Sequence, residues 1–370
     1  MTNTPRCAGL IYGPQAHHLD HLGPLCAIIN IPLITTEEKI ASLARRYYPS
    51  LEVICADYMV VAEHMVSHFE IVFCSIPRDL FDEVFFFAQK LQQKRLHTIW
   101  CPHGNSDKGN STFHMEALKK EEAALVYGKQ MIDFLQRKKV YDQLKGHVII
   151  SNFRHQFYLE SRSFYDLIVE REISKRLPKA EKTLLYAPTW QDFEHSSSLF
   201  HAIEPMIEKL PQNHNLIIKL HPNLGLQEEF KIEELIEKYE DHPNVLFLSD
   251  FPPIYPLLQL IDIYIGDMSS IGYDFLIFDR PLFFLNQNLR NQQVDPGLYL
   301  FRCGIEIKPE NYADIHEIIE RYFLYELRNF SEIRKEVYAY TFGHPKSLDT
   351  LKKEITHLTQ LFSEKGLDFF

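Results

Sequence analysis

The chain has 370 residues, 45% of them hydrophobic and 24% charged, and a formal net charge of −11. That length exceeds what one hydrophobic core serves and predicts two domains of about 150–200 residues each. The acidic balance argues against general duplex nucleic-acid binding, which needs Lys and Arg to replace condensed counterions, and no uncharged stretch approaches the about 18–20 apolar residues of a membrane span.

In chain order, the opening MTNTPRCAGLIYG lacks a basic segment followed by a long apolar one. No signal peptide is therefore expected, and the expected location is cytoplasmic. Strand-like runs follow at AGLIYG (8–13), LEVICA (51–56), EIVFCSI (70–76) and LHTIWC (96–101). The spacing of apolar residues in LFDEVFFFAQKLQQKRL (80–96) predicts a helix between the last two. Residues 121–151 read as strand, helix and strand, and 166–182 as a helix stopped at Pro178. The predicted division is 1–165, 166–346 and a helical tail, 347–370, packing back on the first domain. The second half repeats the grammar with strands KTLLYAPTW (182–190), HNLIIKLHP (214–222), VLFLSD (245–250), IDIYIGD (261–267) and PLFFLN (281–286). Helices fit between them at 198–210 and 228–240. Strands alternating with helices imply an α/β fold of two parallel, doubly wound sheets.

Cys7, Cys26, Cys55, Cys74, Cys101 and Cys303 show no CxxC spacing. Reduced, mostly buried thiols are expected rather than a zinc site or disulfide framework. The basic clusters Arg45-Arg46, Arg137-Lys138-Lys139 and Lys175-Arg176 read as solvated helix faces, with peripheral contact to an anionic lipid surface as the alternative.

Ligands of open α/β sheets bind beyond the carboxyl ends of the strands. Four such exits carry unusual chemistry. In GDMSSIGYD, Asp267, Ser269 and Ser270 either line a phosphate seat at a helix start or simply cap that helix. In KLHPN, Lys219 and His221 share a face of an extended strand that Pro222 ends. The pair suits a pyrophosphate, although a solvated lysine and a satisfied loop histidine read equally well. In APTWQD, Thr189 offers a hydroxyl and Trp190 is expected to plug the core. In WCPHGNSDKGNS, His103 suits a general base for a substrate hydroxyl, against a loop histidine held by a carbonyl. The stretch GPQAHHLDHLGPL (13–25), if helical, sets His17 and His21 on one face with Asp20 beside them. Half a metal site is conceivable there, but with no HExxH spacing and no third ligand, acceptor recognition or capping is preferred and no metal is expected.

Taken in order, TLLYAPTW, the His-Gly pair followed by small polar residues and Lys108, KLHP, and GDMSSIGYDFLIFDRPLFFL resemble the CDP-glycerol glycerophosphotransferases of wall teichoic acid synthesis. The resemblance implies a GT-B-like architecture, two Rossmann-like domains facing across a cleft with the nucleotide donor held mainly by the second. It implies His103 as the base, His221 against the donor phosphates, and Ser269 and Ser270 cradling one phosphate, with Thr189, Lys219 and Asp267 also on the donor side. His17, Asp20, His21 and Lys108 fall to the acceptor side. The implied reaction moves a polyol-phosphate group from a CDP-linked donor to a hydroxyl of a glycan or lipid-linked acceptor and releases CMP, with no cofactor beyond the donor. The chain departs from the family pattern at Asn105, Ser106 and Asp107, where Thr-Pro-Leu is usual, and at Gln191, where Arg is common. The alternatives are a sugar transferase or sugar-nucleotide epimerase using a UDP- or CMP-sugar, and a non-catalytic nucleotide-binding scaffold.

Overall fold

The computed structural model describes residues 5–105, 107, 118–191 and 195–362, with the backbone alone at 225–227. The chain divides into two compact units. Met1–Gly104, Thr112–Glu160 and Tyr340–Phe370 form the first, and Asn105–Ser111 and Ser161–Ala339 the second.

The first unit is built on β1 (Cys7–Ile11), β2 (Leu33–Thr35), β3 (Val53–Cys55), β4 (Ile71–Cys74), β5 (His97–Trp100), β6 (Ala123–Val126) and β7 (Gly146–Ile149). They pair in parallel in the order β3-β2-β1-β4-β5-β6-β7. Runs such as IVFC and AALV are buried at every position, as expected when helices cover both faces of a parallel sheet. The helix Leu348–Gln360 packs against β7 and the helix Leu19–Ile29. It buries Leu351, Ile355 and Leu358, a spacing of four and three residues that makes one apolar stripe. All six cysteines are free thiols; Cys26, Cys74, Cys101 and Cys303 are buried.

The second unit holds β8 (Lys182–Ala187), β9 (His214–Lys219), β10 (Val245–Leu248), β11 (Ile263–Gly266), β12 (Leu282–Leu285) and β13 (Ile305–Ile307). The order β10-β9-β8-β11-β12-β13 is again wholly parallel, the 3-2-1-4-5-6 arrangement of a dinucleotide-binding sheet. Chain direction across the sheet reverses between β8 and β11, and in the first unit between β1 and β4. One face of the second sheet packs Tyr186, Ile218, Ile265 and Phe283 against the helices Leu199–Glu208 and Glu229–Tyr239. Behind β12, the fully buried Arg334 pairs with Glu326 at 2.5 Å and Asp279 at 2.7 Å, and Leu282 donates its N–H to the same Glu326 carboxylate.

The architecture is thus α/β with two doubly wound sheets. Two strands were not expected, β2 and β13. Each has three residues with a polar one among them, LIT and IEI, whereas the VIC of the equally short β3 is wholly apolar. The helix Arg162–Glu172 lies in the second unit because it packs on the helix Ile254–Gln259. The crossing points therefore fall at 160/161 and 339/340, a few residues before the expected 165/166 and 346/347. Among the described residues no helix is long and apolar enough to cross a membrane.

Candidate active site

In the second unit the groups converge where the strand order reverses. Asp267, fully buried at the end of β11, was expected to cap or line the helix that follows it. Instead its carboxylate reaches across to the loop beyond β8. It accepts the Thr189 N–H at 2.9 Å, the Ser198 N–H at 3.1 Å and the Ser198 hydroxyl at 2.5 Å. The parallel pairing of Gly266 with Ala187 brings the two exits side by side. Three donors hold this carboxylate in place, so Asp267 serves as the tie that shapes this end of the sheet. Thr189 is itself buried, and its carbonyl accepts the Ser197 hydroxyl at 2.8 Å. Ser269 is the N-cap residue of the short helix Ser270–Phe275 without a side-chain cap hydrogen bond.

Lys219 ends β9 and is buried. His221 was expected to continue the strand on the same face as Lys219. The chain turns first, and His221 caps the helix Pro222–Gln227, with Pro222 in the first turn, where a proline's missing N–H costs nothing. The His221 Nδ1 accepts the Asn223 N–H at 3.2 Å. That bond leaves the proton of the neutral ring on Nε2, a donor suited to a phosphate oxygen. Trp190 packs on the core of this unit, as expected for a plug, with its ring centre 6.3 Å from that of His221.

Two features of this region were not expected from the sequence. Met268, Asn286, Gln287, Asn288 and Arg290 line a concavity beside Asp267, and the run NQNLR directly behind PLFFL was the available signal. The second is Asp107, which belongs to the second unit although its neighbours in sequence lead out of β5. It is buried and accepts the Tyr273 hydroxyl at 2.6 Å and the Leu300 N–H at 2.9 Å. Asp107→Ala strands both donors in the interior, and a loss of about 2–3 kcal/mol in urea unfolding is expected. Desolvation pushes the Asp107 carboxyl up to about 6, against the pull of Tyr273 and Leu300. Folded-state protons are then held more tightly than unfolded ones, so this group's contribution is complete below pH ~4 and declines as pH rises to ~6. Asp107→Asn is expected to flatten the stability–pH curve in that window.

In the first unit, His103 lies past the exit of β5, followed by Gly104 at φ 128°, a backbone conformation that L side chains rarely adopt. His17 and His18 lie in the 3₁₀ turn Ala16–His18 that follows β1. The three rings gather, with centres 4.5 Å apart for His17–His18, 4.6 Å for His18–His103 and 5.4 Å for His17–His103. Desolvation holds the His103 imidazole below the ordinary histidine range. The residue is exposed, so water still reaches it, and the ring is neutral at neutral pH.

The expected pairing of His17 with His21 on one helix face is not formed. The 3₁₀ turn precedes the helix Leu19–Ile29, so His17 stands outside the helix and His21 inside it. The buried His21 takes Tyr127, with Oη and Nδ1 2.6 Å apart, and burial lowers its pKa well below the ordinary value, helped by Arg154. Asp20 forms a buried ion pair with Arg154. Both side chains are engaged inside the first unit. Lys108 lies outside the described residues.

Residues 154–302 match the sequence profile of the family described as CDP-Glycerol:Poly(glycerophosphate) glycerophosphotransferase. The teichoic acid glycerol-phosphate primase of Bacillus spizizenii is 31% identical over 124 residues, 33% of this chain and 30% of the primase. The teichoic acid ribitol-phosphate polymerase TarL of Staphylococcus aureus is 25% identical over 127 residues, 32% of this chain and 21% of TarL. The chain thus spans about a third or less of the length of these curated relatives. Among solved structures, the wall teichoic acid polymerase TagF superposes with a TM-score of 0.65 at 15% identity, covering 98% of this chain and 90% of that one. Anabaena Alr3699/HepE in complex with UDP-glucose gives 0.56 at 9% identity, with coverages of 96% and 99%. These last two likenesses concern the fold alone. The stretch 154–302, which carries Thr189, Lys219, His221, Asp267, Ser269 and Ser270, has the sequence signature of the CDP-glycerol glycerophosphotransferase family, on a chain with the fold of TagF.

Proposed function

We propose that the chain transfers a glycerol-phosphate-type, polyol-phosphate group from a CDP-activated donor to a hydroxyl of a cell-envelope glycan or lipid-linked acceptor. The observation that carries this reading is the gathering of Lys219, His221 and the Asp267–Ser270 loop at the strand exits of one sheet, inside the stretch that matches the family.

The chemistry asks little covalent help of the protein. It needs an aligned nucleophile and donors around the phosphate oxygens. The acceptor oxygen attacks the glycerol-side phosphorus, the bond from that phosphorus to the CMP oxygen breaks, and CMP leaves with the bonding pair. His103 takes the acceptor's proton. The Nε2–H of His221, the Lys219 ammonium and the Ser269 and Ser270 hydroxyls receive the phosphate charge. One focused patch of this kind holds a dianion on a chain of net charge −11. The reading requires no cofactor beyond the donor, and a nucleotide-activated donor places the reaction on the cytoplasmic side, with peripheral contact to a membrane through the acceptor.

Slow hydrolysis of a panel of CDP- and UDP-linked donors tests the reading without the acceptor. CMP together with glycerol phosphate, identified by phosphorus NMR, is expected from CDP-glycerol. Release of a nucleoside diphosphate from a UDP-sugar, or of CMP from a CMP-sugar only, favours sugar transfer instead. Turnover of no donor, with tight nucleotide binding retained, favours a scaffold. The double change Ser269→Ala with Ser270→Ala is expected to weaken CDP binding about tenfold by calorimetry, the worth of one to two hydrogen bonds to a charged group. Unchanged affinity would place the phosphate elsewhere.

A further inference from the structure

We propose that His17, His18 and His103 form a binding site for a divalent transition-metal ion of the zinc class, and that occupancy takes His103 out of proton transfer. The inhibitory half rests on the proposed function, and the binding half does not.

Ligand nitrogens of these three residues lie within 4.8 Å of one another. A zinc ion binds imidazole at about 2.0–2.1 Å, so from a triangle of that size each nitrogen moves inward by about 0.7–0.8 Å. Ring tilts of this size are ordinary. His18 is buried, His17 half-buried and His103 exposed, which leaves one side of the cluster open for a water or a substrate oxygen as fourth ligand. Three histidines with an open position are a zinc-type donor set. Magnesium and calcium prefer oxygen ligands, and the cluster contains no carboxylate.

Neutral imidazole is the form that binds metal. A neutral ring has one basic nitrogen. Metal and substrate proton therefore compete for the same lone pair of His103. Helical periodicity pairs His17 with His21 and leaves half a site; the fold supplies His18 and His103 instead.

Metal-free protein titrated with cobalt(II), followed by its visible absorption, is expected to bind one ion per chain with the intensity of a four-coordinate site, displaceable by zinc. His17→Gln and His18→Gln are each expected to weaken binding at least tenfold, while His357→Gln, an exposed histidine on the last helix, leaves it unchanged. No stoichiometric binding, or the same affinity in both variants, overturns the site. Should either variant misfold, carbethoxylation by diethyl pyrocarbonate serves in the unaltered chain. Bound zinc slows it at all three histidines if the site exists and at none if it does not. Donor hydrolysis by metal-free protein is expected to fall in step with zinc occupancy and return with a chelator. Full activity at saturating zinc overturns the inhibition. Metal-free protein that binds cobalt yet hydrolyses no donor leaves the site standing and counts against the proposed function.

Discussion

His103→Asn is expected to lower turnover by about 10²–10⁴-fold, the usual worth of a positioned general base, with CDP-donor affinity changed by only a few-fold. The asymmetry follows from where the residue sits. His103 belongs to the first unit, whereas the groups assigned to the donor phosphates all belong to the second. Asparagine keeps a polar side chain at the position but has no basic nitrogen to receive the acceptor's proton. Measured together, single-turnover rates and calorimetric affinities separate the two roles. Parallel losses in both would mean that the imidazole touches the nucleotide and that another group removes the proton. Acidification gives a second check. Desolvation lowers the proton affinity of His103, so the base stays active below the ordinary histidine range, and activity is lost only as pH falls through the lowered value.

Asp267→Ala is expected to cost about 3–5 kcal/mol of stability, read in chemical unfolding, and to weaken donor binding in whatever fraction stays folded. Three donors lose their acceptor at once: the Thr189 N–H, the Ser198 N–H and the Ser198 hydroxyl. All are buried, and each unsatisfied buried donor costs about 1–3 kcal/mol, more where the partner was charged. Asn fits the space but turns an amide N–H₂ toward at least one N–H, so Asp267→Asn is expected to recover less than half of the loss. A change of under about 1 kcal/mol in the alanine variant would mean that water replaces the carboxylate without cost, and the tie would not be what shapes the loop.

The two sheets were legible because most strands, such as IVFC and TLLYA, are continuous apolar runs set between amphipathic helices. β2 and β13 were not, since LIT and IEI are three residues long and broken by Thr35 and Glu306. The strand exits were also legible, because Pro, Gly, His and Ser punctuate them. What each polar residue does there was less so. Asp267 stands in sequence beside the helix it was expected to cap, and its true partners are 69 and 78 residues away in sequence, adjacent only through the β8–β11 pairing. His18 was visible as the second histidine of AHHLDH, but helical periodicity favoured His17 with His21, and only the 3₁₀ turn redirects them. Asp107 stood out merely as a departure from the family pattern. Its burial against Tyr273 and Leu300 depends on long-range packing that no local spacing encodes.

Asn105 and Asp107 place a piece of the second unit within the chain of the first, and residues 340–362 return to complete the first after the second is built. Neither body is therefore a contiguous stretch of gene. Scission between 160 and 161 yields an amino-terminal fragment lacking its closing helix and a carboxy-terminal fragment lacking its Asp107 anchor. During synthesis the early body stays incomplete until residues 340–362 have left the ribosome.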